Sequence, residues 1–204
     1  MALEDLEKIT EKIKKYNAKL LPVIKNRSNE EIKFLLDSGL KDFGENRIED
    51  YKTHSKIYNK VSYHFIAPLQ SRKIEFITEN FSHIYTLCRK KEVEIISKSH
   101  KKPKLLIQVN VDQDPNKNGV KVNELVSFYE YCIKKNLYPI GIMTIPSISS
   151  DVKKEFNKMN MLNQKLKKYF KFYNGELSMG MSNDYEVALD YGATIIRIGS
   201  KLFK

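Results

Sequence analysis

Eight short apolar runs, beginning near Leu20, Asp42, Tyr63, His83, Leu105, Pro139, Glu176 and Thr194, recur along the chain with helix-length intervals between them. Runs such as Leu105-Leu106-Ile107-Gln108-Val109 are almost wholly apolar, the pattern of a strand covered on both faces. The intervals change period. Asn29 to Gly39, Leu69 to Phe81 and Val122 to Asn136 read as helices, the first closed by Gly39 and the last carrying Val126, Phe128, Tyr129 and Ile133 on one face. Strands separated by helices pair in parallel through right-handed crossovers, so eight such units predict an α/β fold, a single-domain (β/α)8 TIM barrel. Before the first unit, residues 2–18 place Leu3, Leu6, Ile9, Ile13 and Tyr16 three and four apart, which adds an N-terminal helix. An open doubly wound sheet is the alternative, but it usually has fewer strands and a glycine-rich first turn, and no glycine directly follows Leu20 to Lys25.

With 204 residues the chain can bury one sizeable core, so a single domain over residues 1–204 is expected. It stops five residues after Gly199, which gives the further expectation of no C-terminal domain. No stretch nears the roughly 20 apolar residues of a membrane span and no signal-peptide core is present, so a cytoplasmic protein without a membrane partner is expected. Cys88 and Cys132 are far apart and outside any C-x-x-C spacing, so both read as reduced thiols. His54, His64, His83 and His100 form no metal-ligand pattern, and no metal is expected. The charge of +11 raises the question of nucleic acid. Only 5 of the 36 basic residues are Arg, however, and the lysines are dispersed over amphipathic helices, so a solvated lysine surface is expected instead.

That scarcity isolates Arg197, which lies within the apolar run Thr194-Ile195-Ile196-Arg197-Ile198 where no solvated face explains it. The last two strands also end in small residues, Ser178-Met179-Gly180-Met181-Ser182 and Ile198-Gly199-Ser200. Such turns let backbone N–H groups approach an anion, and Ser182-Asn183-Asp184 offers caps for the next helix. In a parallel barrel the loops after strands seven and eight are the usual phosphate site, and closure sets the last strand beside the first. Lys25, at the end of the first run, is therefore expected beside Arg197, partly desolvated and reactive toward an aldehyde. The combination suits a phosphorylated aldehyde. A structural alternative pairs Arg197 with a carboxylate such as Glu45.

Six segments, Val23-Ile24-Lys25, Phe43-Gly44-Glu45-Asn46, His64-Phe65-Ile66 with Leu69-Gln70-Ser71-Arg72-Lys73, Gly141-Ile142-Met143-Thr144-Ile145-Pro146, Ser178-Met179-Gly180-Met181-Ser182 and Arg197-Ile198-Gly199, follow in order a known pattern. It resembles that of the pyridoxal-phosphate homeostasis proteins, and the likeness spans nearly the whole chain. The resemblance implies a barrel similar to the N-terminal domain of alanine racemase that binds pyridoxal 5′-phosphate (PLP) as a Schiff base. It makes Lys25 the Schiff-base lysine and sets Arg197 against the pyridine nitrogen. Ser178, Ser182, Gly199 and Ser200 correspond to positions around the phosphate, and Asn46, His64 and Met143 to the mouth around the ring. The chain departs from the family pattern at Ile24 and Asn26, where a serine and a threonine are usual, and at Ala67-Pro68, while Lys117 and Gly119 are retained after strand five.

The resemblance further implies a protein that buffers and delivers PLP in vitamin B6 homeostasis without substrate turnover. An arginine at the ring nitrogen weakens the cofactor as an electron sink, and the related racemase needs a second base from another domain. The expected partners are PLP and PLP-dependent apoenzymes, and the protein is expected to be a monomer. One alternative is a PLP-dependent racemase drawing its base from Tyr51 or His64. Another is a lysine-imine aldolase that acts on sugar phosphates without PLP.

Overall fold

The computed structural model describes residues 3–147 and 151–203. The first strand, β1 (Lys19–Pro22), follows helix α1 (Leu3–Lys15). Then come α2 (Asn29–Asp37), β2 (Asp42–Glu45), α3 (Ile48–Ile57), β3 (Ser62–Phe65), α4 (Ile74–Asn80), β4 (His83–Leu87), α5 (Lys90–Lys98) and β5 (Lys104–Asn110). The second half holds β6 (Val120–Lys121), α6 (Leu125–Lys134), β7 (Gly141–Met143), α7 (Val152–Tyr169), β8 (Glu176–Ser178), α8 (Tyr185–Asp190) and β9 (Ile195–Ile198).

Every strand pairing is parallel, in the order β1-β9-β8-β7-β5-β4-β3-β2. A bridge between Val23 and Gly44, with the Ile24 N–H donating to the Gly44 carbonyl at 3.0 Å, joins β1 to β2 and closes the ring. The eight strands read from the sequence are the eight staves. β6 is an addition, pairing with the end of β5 outside the ring. Gly119, at φ +138°, lets the loop return against the Asn110 backbone there, a contact that two residues of strand carry no period to announce.

Two apolar layers follow from strand alternation. Leu21, Tyr85, Leu106, Met143 and Ile195 point inward and fill the barrel, whereas Ile84, Leu105, Ile107, Ile142 and Ile196 point outward under the helices. In α6 the buried side is Leu125, Phe128, Tyr129 and Cys132, with Val126 and Ile133 at its edge. α1 buries Leu6, Ile9 and Ile13 and is tied to α8 by Lys12–Glu186 (2.8 Å) and by the Tyr16 hydroxyl donating to Asp190 (2.7 Å). After β9 only one 3-10 turn, Ser200–Leu202, is described, so α1 completes the helical ring on that side. Both cysteines are free, and among the described residues no helix is long and apolar enough to cross a membrane.

Candidate functional site

The C-terminal ends of the strands form the mouth. β1 runs against β9 with Leu21 level with Arg197, and the Val23 N–H donates to the Ile198 carbonyl at 2.8 Å. These bonds carry the Val23-Ile24-Lys25 segment alongside Ile198-Gly199-Ser200. Lys25 then sits at the turn that follows, next to Asn26 at φ 55°. Lys25 is exposed, which corrects the expectation of partial desolvation: the segment has already left the ladder, and its side chain starts at the open rim.

Arg197 lies deeper. It is 4% exposed and spans three staves, its Nη1 donating to Ser178 Oγ at 2.6 Å and its Nη2 to the Thr144 carbonyl at 2.9 Å. Among the described residues no carboxylate lies within salt-bridge distance, so the alternative pairing with Glu45 is overturned. Burial lowers the guanidinium pKa to about 10, which leaves it charged at neutral pH. Glu45 is occupied elsewhere. Its fully buried carboxylate accepts from the Asn46 N–H (2.9 Å) and lies 3.1 Å from His54 Nδ1, anchoring the start of α3.

The two small-residue turns meet. Ser200 Oγ donates to Ser182 Oγ at 3.3 Å, and the Lys201 N–H donates to the same oxygen at 3.4 Å. Gly180 makes the first turn possible: its φ is +90°, a Cβ there would stand 2.5 Å from that of Ala188, and its carbonyl accepts from the Arg197 N–H at 3.0 Å. The cap expected from the Ser182-Asn183-Asp184 run falls to Asp184 and not to Ser182. Asp184 occupies the N-cap of α8 and folds its carboxylate back on the Met181 N–H at 2.6 Å, which frees Ser182 for the neighbouring turn.

The other expected site residues divide by depth. Asn46 lies at the mouth with its Oδ1 buried and without a hydrogen-bond partner. Ser178 is fully buried and its hydroxyl serves Arg197, so it supports the guanidinium from beneath instead of lining the turns. Met143, 1% exposed, belongs to the barrel interior. His64 is at the opposite end: Nε2 faces Asp42 Oδ1 at 3.0 Å and Nδ1 faces the Tyr85 hydroxyl at 3.1 Å, among side chains that open the strands. Its place at the mouth is thus corrected, because the side chain tilts toward the start of β2. Tyr51 packs outside the barrel against Tyr63, Phe76 and Phe81 and donates to Asn80.

Sequence reasoning passed over Thr144, whose carbonyl holds Arg197, and Asn110, whose Oδ1 is buried at the end of β5 without a partner. A main-chain acceptor leaves no residue-type signal, but Asn110 was readable as the inward position two beyond Gln108. Lys117 ties two rim loops together, donating to Asp112 (2.6 Å) and to the Ile145 carbonyl (2.9 Å), while Ser147 also meets Asp112. Among the described residues no cluster of His, Cys, Asp or Glu could hold a metal.

A closed parallel barrel with a lysine in the turn beyond its first strand and serine turns after its last two is what the structure shows, and the model of the alanine racemase N-terminal domain family matches residues 3–204. Across 99% of its length the chain is 34% identical to the pyridoxal phosphate homeostasis protein of Aquifex aeolicus, covering 97% of that protein. It is 33% identical to the protein of the same description from Vibrio alginolyticus, over 92% of this chain and 86% of that one. This chain belongs to the pyridoxal phosphate homeostasis protein family. Among solved structures, PipY of Synechococcus elongatus without PLP superposes with a TM-score of 0.89 at 26% identity, covering 98% of this chain and 99% of that one. A Chlorella virus arginine decarboxylase shares the fold at 16% identity and a TM-score of 0.74, with 62% of its chain covered.

Proposed function

We propose that the chain is one PLP-binding barrel domain that holds the cofactor as a Schiff base on Lys25 and releases it to other proteins without turning over a substrate. The observation that carries this reading is the meeting of the two serine turns beside the segment that leads from β1 to Lys25, with a guanidinium buried below them that has no carboxylate partner among the described residues. Each suits a different part of one ligand. PLP supplies an aldehyde carbon and a ring able to draw electrons from an attached amine. In this reading the Lys25 amine attaches the aldehyde, and the hydroxyls of Ser182 and Ser200, with N–H groups around Gly199, receive the phosphate. Arg197 presents N–H donors to the ring nitrogen and keeps it unprotonated, with Ser178 and the Thr144 carbonyl fixing the guanidinium. The orphaned Asn46 Oδ1 fits the ligand because a buried acceptor without a partner costs free energy that a donor on the ligand recovers. Met143 closes the interior beneath.

Lack of turnover is supported by the distance of both proposed bases from the rim, His64 being at the barrel floor and Tyr51 outside the staves. PLP homeostasis is the description shared by the relatives in Aquifex and Vibrio, and PipY has been solved with PLP bound. PLP-dependent apoenzymes as recipients, a monomeric state, cytoplasmic placement and the absence of a nucleic-acid partner belong to the same reading. Borohydride reduction of the protein incubated with PLP, followed by peptide mass spectrometry, tests it. One stable pyridoxyl adduct on Lys25 is expected, and modification spread over surface lysines with Lys25 spared would overturn it.

A further inference from the structure

The opposite end of the barrel contains a cavity of about 290 Å³, lined where the strands begin and separated from the mouth by the interior plug of Leu21, Tyr85, Leu106, Met143 and Ile195. That volume is at the lower end of the range for small-molecule sites. Its charged groups alternate in sign around the ring, Lys19 and Lys104 flanking Glu176 on one side and Asp42 following on the other. Lys104 and His83 belong to β5 and β4, and Glu176 belongs to β8, with Lys19 and Asp42 on β1 and β2 between them. Around the ring, β7 separates β8 from β5, and there the inward residue is Gly141, which brings no charge.

These groups are unequally satisfied. Asp42 is 3.0 Å from His64 Nε2, and His64 is held on its other nitrogen by the Tyr85 hydroxyl. Glu176 has only a loose contact with Lys19, at 3.9 Å, and its side chain is 23% exposed. Lys104 has no carboxylate within ion-pair distance among the described residues. His83 stacks on His64 with ring centroids 3.9 Å apart and is hydrogen-bonded through Nδ1 to Ser82. His83 feels Lys104, Lys19 and His64 against Asp42 alone, and burial with this positive surround lowers its pKa to about 3. Burial above all, with Glu176 and Asp42 acting against Arg197, raises the pKa of the Tyr85 hydroxyl, which lies on the same strand as His83.

We propose that this floor cavity binds a small dipolar molecule, an amino acid, with its carboxylate toward Lys104 and His83 and its ammonium toward Glu176. Glu176, the least exposed of these charges, would repel a lone anion, and the exposed Lys104 and Lys19 beside it would repel a lone cation, whereas a ligand carrying both charges complements the neighbouring pair Glu176 and Lys104. Leu21, Ile195 and the Tyr85 ring provide an apolar end for a short side chain. The site is independent of the Lys25 mouth.

The test uses the full chain with glycine, β-alanine, 4-aminobutyrate and L-serine as probes, and acetate and methylamine as single-charge controls. The His83 ring resonance, assigned through His83→Gln, is followed by NMR during titration. At least one amino acid is expected to shift it with a Kd on the order of 1 mM, while both controls leave it unmoved at equal concentration. Lys104→Met and Glu176→Gln should each weaken that response by at least about tenfold, the loss of one charge-assisted hydrogen bond. Both variants should keep the wild-type Tm to within a few degrees and keep PLP absorbance, which separates this site from the mouth. No shift with any amino acid, an equal shift with acetate alone, or undiminished response in both variants would overturn the proposal.

Discussion

Ser178→Ala isolates what holds the buried guanidinium. In the folded chain Ser178 Oγ is completely buried and accepts from Arg197 Nη1 at 2.6 Å, while Nη2 has the Thr144 carbonyl. Removing the hydroxyl leaves a charged donor in a dry interior without its acceptor, and hydrogen bonds to charged groups contribute about 1.5–3 kcal/mol. For a chain of this size about 2 kcal/mol corresponds to a fall in Tm of roughly 4–8 °C. The assay is thermal and urea unfolding of Ser178→Ala, Arg197→Met and the double variant. Once Arg197 is methionine the hydroxyl has no charge to serve, so Ser178→Ala in that background should cost below about 1 kcal/mol, giving a coupling of about 1–2 kcal/mol. With PLP added, Ser178→Ala should still show the absorbance of a lysine imine, since Lys25 and the serine turns are untouched. Equal costs in both backgrounds would refute the assignment of Ser178 to the guanidinium.

Lys25→Ala should abolish the imine absorbance yet retain weaker PLP binding through the turns, which equilibrium dialysis would measure; an unchanged spectrum would mean another lysine reacts. Ser200→Glu should weaken PLP binding by like-charge repulsion while leaving Tm nearly unchanged, as read by titration and calorimetry. Gly180→Ala forces a side chain into φ +90° and to within 2.5 Å of the Ala188 Cβ, so denaturant unfolding should show a loss of about 1–3 kcal/mol. His83 has a folded pKa of about 3, below its ordinary value near 6.5, so the unfolded chain takes the proton first on acidification. Its contribution to stability is complete above about pH 6.5 and declines as pH falls toward 3, and the Tm difference between pH 7 and pH 5 should shrink in His83→Gln.

The eight staves were readable because burial on both faces of a parallel sheet forces apolar runs, and the intervening helices announce themselves by period. Lys25, Arg197 and the serine turns were readable for a related reason: a charged or small residue at the end of a buried run has few structural explanations. Depth was not readable. His64, Ser178 and Met143 all lie on inward faces, yet one faces the floor, one braces Arg197 and one fills the interior, because side-chain tilt and stagger between neighbouring staves depend on closure. The partners of Arg197 were equally hidden, since Thr144 contributes a carbonyl that every residue possesses. The opposed charges at the barrel floor come from strands as far apart in the chain as Lys19 and Glu176, and only the closed ring brings their first residues around one cavity. Local chemistry is written along the chain, whereas distance across the barrel is set by how the sheet curls shut.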